Sequence, residues 1–363
     1  MPEGVEGHPD QAIEEDVGKD STFTVAEPLS AARRQRSDAV LGTSKIDRFR
    51  IIRKLGEGGM GSVYAAFDTV LDRRIAVKVV RPDRKNVVDG VTARDRLLRE
   101  AQAMARLSHP NVVAVLDVGD LGEDIYVALE YVDGMTLTSW LAERPRSWRE
   151  IVATFREAGK GLVAAHEAGL VHRDFKPDNV MVSRDGRILV TDFGVVSMSG
   201  GASPVDGSEG ASGAVSSVTY AGLRVGTLPY MAPEQHAGEP ADVRADQFSF
   251  CVALWEALFG VRPFVGNNEA ALEAAKRDGR IEPVTHVRVP RWLAPPLRRG
   301  LAARAGDRWP SLGALLGALA NDPAVRRRRI AIAAAIGLVV AAAVTLALAG
   351  WARDTKPTCE GGC

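Results

Sequence analysis

Three cysteines stand in 363 residues: Cys251 inside an apolar run, and Cys359 and Cys363 at the very end. That scarcity excludes a disulfide scaffold and a multi-cysteine zinc module, and it fits a reducing compartment for the main body. The six histidines show no short His/Cys clustering, so a dedicated metal cage is not expected. An excess of one charge is missing too. The 46 Lys and Arg balance the 46 Asp and Glu, which leaves no global basic field for nucleic acid. The opening stretch MPEGVEGHPDQAIEEDVGKD is acidic and has no apolar core, unlike a secretory signal peptide. Residues 1–45 are poor in aromatic and other apolar side chains, and a disordered tail is expected there. Internal repeats are not evident either.

What is present is an ordinary globular composition, 46% hydrophobic and 25% charged, with one exceptional run. Residues 330–351, IAIAAAIGLVVAAAVTLALAGW, carry no charge. At about 1.5 Å per residue such a helix matches a hydrocarbon core of roughly 30 Å. A buried core helix would keep a polar stripe, whereas this run offers only Thr345 and some glycines. Residues 321–329 before it hold four consecutive arginines, Arg326 to Arg329; after it come Arg353, Asp354 and Lys356. The heavier basic flank stays in the cytoplasm. The expectation is a single-pass membrane protein of the cell membrane, with its body cytoplasmic and a short tail, residues 352–363, outside.

Between the tail and this run, residues 46–320 change character once. FRIIRKL, SVYAAFD and RRIAVKVV are short strand-like runs separated by Gly-rich or charged turns. TARDRLLREAQAMARL follows with helical spacing of Leu97, Leu98, Ala101, Met104 and Ala105, and SHPN ends it. Two further strands are expected in NVVAVLDVGD and DIYVALEYVD. After Gly134 the pattern is helical, including SWREIVATFREAGKGLVAAHEAGL and ADQFSFCVALWEALFG. The fold class is therefore α+β: a small β-rich lobe, 46–129, and a larger helical lobe, 134–320. A cleft between lobes is a common ligand site. From Ser197 to Ser217, seven serines and five glycines leave little to bury, so a mobile segment is expected.

Individually, the motifs are ambiguous. HRDFKPDN, residues 172–179, lies between apolar runs and could be turn chemistry alone. In LGEGGMGSVY, Gly56, Gly58 and Gly61 could form a plain glycine hairpin. No helix follows them, so the dinucleotide fingerprint fails; two strands joined by glycines suit a flap over phosphates. Lys78 within IAVKVV either faces water or has a buried partner, with Glu100 on the next helix as a candidate.

Taken together, GEGGMGSV, AVK, Arg99–Glu100, HRDFKPDN, DFG at Asp192–Gly194 and APE at Ala232–Glu234 resemble the eukaryotic-like Ser/Thr protein kinases, most of all their membrane-anchored bacterial branch. The order and spacing of the motifs match from about Phe49 to Ala320. The resemblance implies the bilobal protein-kinase-like fold plus one transmembrane helix, with ATP and Mg²⁺ as cofactors. Catalysis of this kind is mostly positioning and charge neutralisation. By resemblance, Asp174 accepts or orients the substrate proton, Lys176 holds the γ-phosphate, and Asn179 and Asp192 bind the metal. Lys78, steadied by Glu100, contacts the α- and β-phosphates. The implied nucleotide site is Leu55, Gly56, Glu57, Gly58, Gly59, Met60, Gly61, Ser62, Val63, Ala76, Lys78, Glu100, Leu129 as gatekeeper, and Glu130 and Val132 of the hinge.

HRDxKPxN and Thr227 in GTLPYMAPE resemble the Ser/Thr form, which implies protein Ser and Thr hydroxyls as acceptors. Glu234 and Arg308 match an architectural ion pair, and Asp246 matches a brace for the catalytic loop. The chain departs from the pattern at Phe175, where leucine is usual, and in the lengthened Ser/Gly segment after Gly194. Arg173 is the kind of residue that binds a phosphate on that segment. Autophosphorylation is expected between Ser197 and Thr227, with Ser216, Ser217 and Thr219 favoured, in trans within a homodimer. Two rivals remain: a catalytically silent pseudokinase scaffold at the membrane, and a small-molecule phosphotransferase. The first usually loses Lys78, Asp174 or Asp192; the second lacks the glycine flap and APE segment.

Overall fold

A computed structural model of the protein describes residues 45–58, 61–81, 87–88, 91–193, 227–284 and 289–354. The chain divides into two units, Met1–Lys45 and Ile46–Cys363. The expected N-terminal tail, Gly59, Met60, Gly194, the Ser/Gly stretch with Ser216, Ser217 and Thr219, and Cys359 and Cys363 lie outside the described residues.

The first part of the second unit is an antiparallel sheet. Its strands are β1 (Lys45–Ile46), β2 (Phe49–Gly58), β3 (Gly61–Asp68), β4 (Arg73–Val80), β7 (Val115–Leu121) and β8 (Asp124–Glu130); two minor strands, β5 (Val87–Val88) and β6 (Val91–Thr92), pair only with each other. The sheet order is β1-β2-β3-β4-β8-β7. Alternation sends side chains to opposite faces. Lys78 pairs across to Val63 and Val127, and Ala76 pairs to Ala65 and Leu129, so these residues share faces that the intervening ones do not. Gly58 faces Gly61 where β2 turns into β3. A Cβ on Gly61 would collide with the Val79 carbonyl, so only glycine lets these two backbones approach.

Helix α1 (Ala93–Ala105) begins at a capping box, with Thr92 and Asp95 each satisfying the other's backbone N–H. Its stripe Leu97 and Ala101 packs on Val80, Ile125 and Val127 of the sheet. Of the two later strands expected, the first begins only at Val115. Asn111 to Val113 instead turn to the other lobe: Val113 N–H donates to Val190 O (2.9 Å), Val190 N–H to Asn111 O (2.9 Å), and the Asn111 amide to Ile188 O (2.8 Å). An apolar run suits either partner, and pairing with β11 (Ile188–Val190) prevails here.

The second lobe is helical around a small sheet, β11-β10-β9, with β9 at Gly134–Thr136 and β10 at Val180–Ser183. Its helices are α2 (Leu137–Glu143), α3 (Trp148–Glu167), α4 (Pro233–His236), α5 (Val243–Phe259), α6 (Glu269–Arg277), α7 (Ala294–Gly300) and α8 (Leu312–Ala320). Ser147 and Glu150 form a capping box at the start of α3, and α5 ends at Gly260, whose φ of 73° is left-handed. Helix α5 is apolar nearly all round and is correspondingly buried on most of its surface. Phe175, larger than the usual leucine, is accommodated within this core, 5.7 Å from the Phe250 ring, which packs in turn on Phe155. The two lobes are those of the bilobal fold that the sequence implied.

A last helix, α9 (Pro323–Asp354), runs for 32 residues. Its side chains from 331 to 346 are exposed, Leu338 and Leu346 at 73% each. Among the described residues no helix is long and apolar enough to cross a membrane; the side chains of 324–330 and 347–354 are not among those described.

Candidate active site

HRDFKPDN is shaped by one buried carboxylate. Asp246, in the first turn of α5, is 0% exposed and accepts the backbone N–H groups of His172 (2.8 Å) and Arg173 (2.7 Å). His166 Nε2 lies 2.7 Å from the same carboxylate. These bonds hold Arg173 at a φ of 63°, where a non-glycine backbone costs about 1–2 kcal/mol. His172 Nε2 reaches Thr191 O at 2.9 Å, tying the loop to the residue before Asp192. Asp246 thus braces the loop as its resemblance implied.

The loop brings Asp174, Lys176 and Asn179 together. Lys176 Nζ donates to Asp174 Oδ2 (2.7 Å) and to Thr227 Oγ1 (2.8 Å). The Asn179 amide donates to the Asp174 carbonyl (2.8 Å) and to Oδ2 (3.2 Å). Asp174 Oδ1 is buried and has no hydrogen-bond partner among the described residues. An acceptor oxygen left unpaired at such a place is costly, about 1–3 kcal/mol, and is suited to a hydroxyl arriving from outside.

Above the loop is a cleft of about 710 Å³. Leu55, Gly56, Glu57, Val63, Ala76, Leu129, Glu130 and Val132 line it from the sheet side, and Lys176, Asn179 and Asp192 from the other. Lys78 and Glu100 line a smaller apolar cavity of about 50 Å³ behind it, beside Phe193 and Met104. Gly58 and Gly61 flank the β2–β3 turn. Ser62 is a correction: it pairs with Val79, one residue from the Val63–Lys78 pair, and is buried on the sheet's other face instead of lining the cleft. Sequence reasoning missed Val113, Met181 and Thr191 on the cleft wall, because single residues outside the quoted motifs carry no signal of their own.

The expected Lys78–Glu100 pair is also corrected. Lys78 Nζ bonds Asp192 Oδ1 at 2.8 Å instead. Burial raises Asp192, but the charge and hydrogen bond of Lys78 more than offset it and hold the carboxylate below its ordinary range. Burial pushes Glu100 up to about 7 against the opposing charge of Arg173. An ammonium pairs with the carboxylate within reach, and which one that is depends on the placement of α1, not on its sequence.

The architectural pair forms as expected. Arg308 meets Glu234 through two bonds of 2.7 Å and also donates to the carbonyls of Ala302, Ala303 and Arg244. Among the described residues no cluster of three or more His, Cys, Asp or Glu could hold a metal. Asn179 and Asp192 nonetheless place two oxygen donors in the cleft. That suits a hard cation that takes one or two protein oxygens and completes its shell with water and phosphate.

The protein kinase domain family matches residues 49–297. A probable serine/threonine-protein kinase PknB of Lactococcus lactis is 38% identical over 234 residues, 64% of this chain and 35% of that protein. The serine/threonine-protein kinase PrkC of Bacillus subtilis is 33% identical over 236 residues, 64% of this chain and 34% of that protein. The chain thus spans about a third of the length of these curated relatives. Among solved structures, the Mycobacterium tuberculosis PknI kinase domain superposes with a TM-score of 0.55 at 27% identity, covering 76% of this chain and 96% of that one. With the braced loop, the cleft and the Glu234–Arg308 pair all in place, the chain belongs to the protein kinase domain family.

Proposed function

We propose that the chain is an active serine/threonine protein kinase that moves the γ-phosphoryl group of ATP to a Ser or Thr hydroxyl of a protein. The observation that carries this reading is Asp174 Oδ1, buried and without a hydrogen-bond partner among the described residues, beside Lys176 and Thr227. In the reaction the acceptor oxygen bonds to the γ-phosphorus as the bridging bond to the β-phosphate breaks. The hydroxyl proton passes to Asp174 Oδ1, and ADP leaves. Lys176 and the Asn179 amide keep Oδ2 occupied, which aims Oδ1 at the acceptor. Lys176 also faces charge that develops on the transferred group. Lys78 would hold the α- and β-phosphates, the β2–β3 flap would close over them, and Glu130 and Val132 would receive the adenine. Asn179 and Asp192 would hold Mg²⁺, which when bound neutralises phosphate charge.

The test is transfer of labelled γ-phosphate from Mg·ATP to casein by the full chain in detergent, beside Asp174→Asn. Label in the first and about a thousandfold less in the second is expected, as for loss of a positioned base together with its charge. No label from either, with ATP still bound, would favour the silent scaffold.

Residues 330–351 are proposed as a single-pass membrane span, with residues 46–320 cytoplasmic and 352–363 outside. The support is a 32-residue helix with exposed apolar side chains, a surface soluble proteins rarely leave uncovered. Retention in the membrane pellet after alkaline carbonate extraction checks it. Autophosphorylation in trans between two copies, within Ser197–Thr227, is checked by mass spectrometry after ATP treatment.

A further inference from the structure

Residues 227–232 join the catalytic loop's contact at Thr227 to helix α4, and they do so without regular secondary structure before Pro233. The Thr227 and Ala232 carbonyls accept local backbone N–H groups, whereas those of Leu228, Tyr230 and Met231 are met by side chains from other elements. The Tyr230 carbonyl accepts from Ser249 Oγ at 2.8 Å. Those of Leu228 and Met231 both accept from Lys276 Nζ, at 2.7 Å each, and the Leu228 backbone is also a hydrogen-bond partner of His236. Lys276 lies at the end of α6 and is 0% exposed; its third neighbour is His236 Nε2 at 3.1 Å. Burying an amine is expensive unless it is fully bonded, and a methionine of similar shape would fill the same space. The amine's return is that it fastens two backbone oxygens of one loop at once.

We propose that Lys276 is a positioning residue for the phosphoryl acceptor. It holds segment 228–231 so that Thr227 stays on Lys176 beside Asp174 and an incoming peptide meets a formed ledge. This rests on the kinase reading above. The tie does not depend on the charge of the amine. Burial, then the charge of Arg262, brings Lys276 down to about 7, while burial and the Lys276 charge bring His236 to about 4. A neutral amine still has two N–H groups for the two carbonyls. Nucleotide binding, by contrast, uses the cleft on the other side of the catalytic loop, and Lys276 is not among the residues lining it.

The experiment measures transfer to casein by the full chain, varying casein and ATP separately, for the native protein, Lys276→Met and Lys276→Gln. Met removes both bonds. Gln is one bond shorter, so its amide falls short of both carbonyls. For Lys276→Met the KM for casein should rise about tenfold, the equivalent of losing roughly one hydrogen bond, with the KM for ATP within about twofold of native. A purely structural lysine would lower thermal stability and leave this split unmoved. Unchanged casein KM in the folded variant overturns the inference. If Lys276→Met fails to fold by circular dichroism, Lys276→Gln decides in the same way: a casein KM raised several-fold supports the inference, and an unchanged one overturns it. A native protein that transfers no label overturns the kinase reading itself, and the inference falls with it.

Discussion

Glu100 and Lys78 carry the clearest consequence at the scale of single residues. Glu100 is raised to about 7 from an ordinary 4.5 by burial, so the folded state binds more protons than the unfolded chain between these values. Stability from this group is present below about pH 4.5 and is lost as pH rises through 7. Replacing Glu100 by Gln removes a carboxylate that is charged only at a cost. The variant should gain about 1–3 kcal/mol at pH 8 and progressively less as pH falls to 5.5, read from urea melts. Phosphoryl transfer by the same variant, measured beside the melts, tells whether Glu100 also serves the reaction. Higher stability with lower activity would mark a residue kept for chemistry. If the pH 8 melt shows no gain, Glu100 is not held as a buried carboxyl.

Elements are fixed by a few polar anchors, and their removal should show different sizes of effect. The Ser147 cap of α3 is exposed and local, so Ser147→Ala should cost about 1 kcal/mol. The Glu234–Arg308 pair is buried on the arginine side and joins α4 to the loop before α8. Arg308→Met leaves Glu234 and three carbonyl contacts without their cation and should cost about 3–5 kcal/mol. The double variant with Glu234→Met should recover part of that loss, since no carboxylate is then stranded. Thermal melts of the four proteins in the cycle measure the coupling; strict additivity would deny it. Much of this scale was readable beforehand. The helical spacing of Leu97, Ala101 and Met104, the run ADQFSF and the late arginine each announced an element or its anchor. The early end of the expected strand at Asn111 was not readable, because an apolar run pairs equally well with a neighbouring strand or with β11 across the lobes.

At the scale of the whole molecule, nucleotide and metal should act as a joint clamp on the two lobes. Mg·ATP at about a hundred times its Kd should raise stability by about 2.7 kcal/mol, and EDTA should remove most of the gain. Asp192→Asn should shrink it, having lost a metal oxygen with full charge and the partner of Lys78. A gain of equal size with EDTA present would place binding outside the Asn179–Asp192 site.

Residue types and spacing alone were enough for the family, the division into a β-rich and a helical lobe, and the loop His172–Asn179. These depend on residue types at fixed short spacing, where the side-chain period and the chemistry of each position leave little freedom. Packing alone settled which carboxylate Lys78 meets, that Ser62 faces away from the cleft, that one Asp174 oxygen has no partner among the described residues, and that Lys276 reaches back across 48 residues to the carbonyl of Leu228. Such pairings turn on ångström-scale placement of elements far apart in the chain. An ammonium or a carboxylate takes whichever partner packing brings within about 3 Å, and local sequence holds no record of that distance.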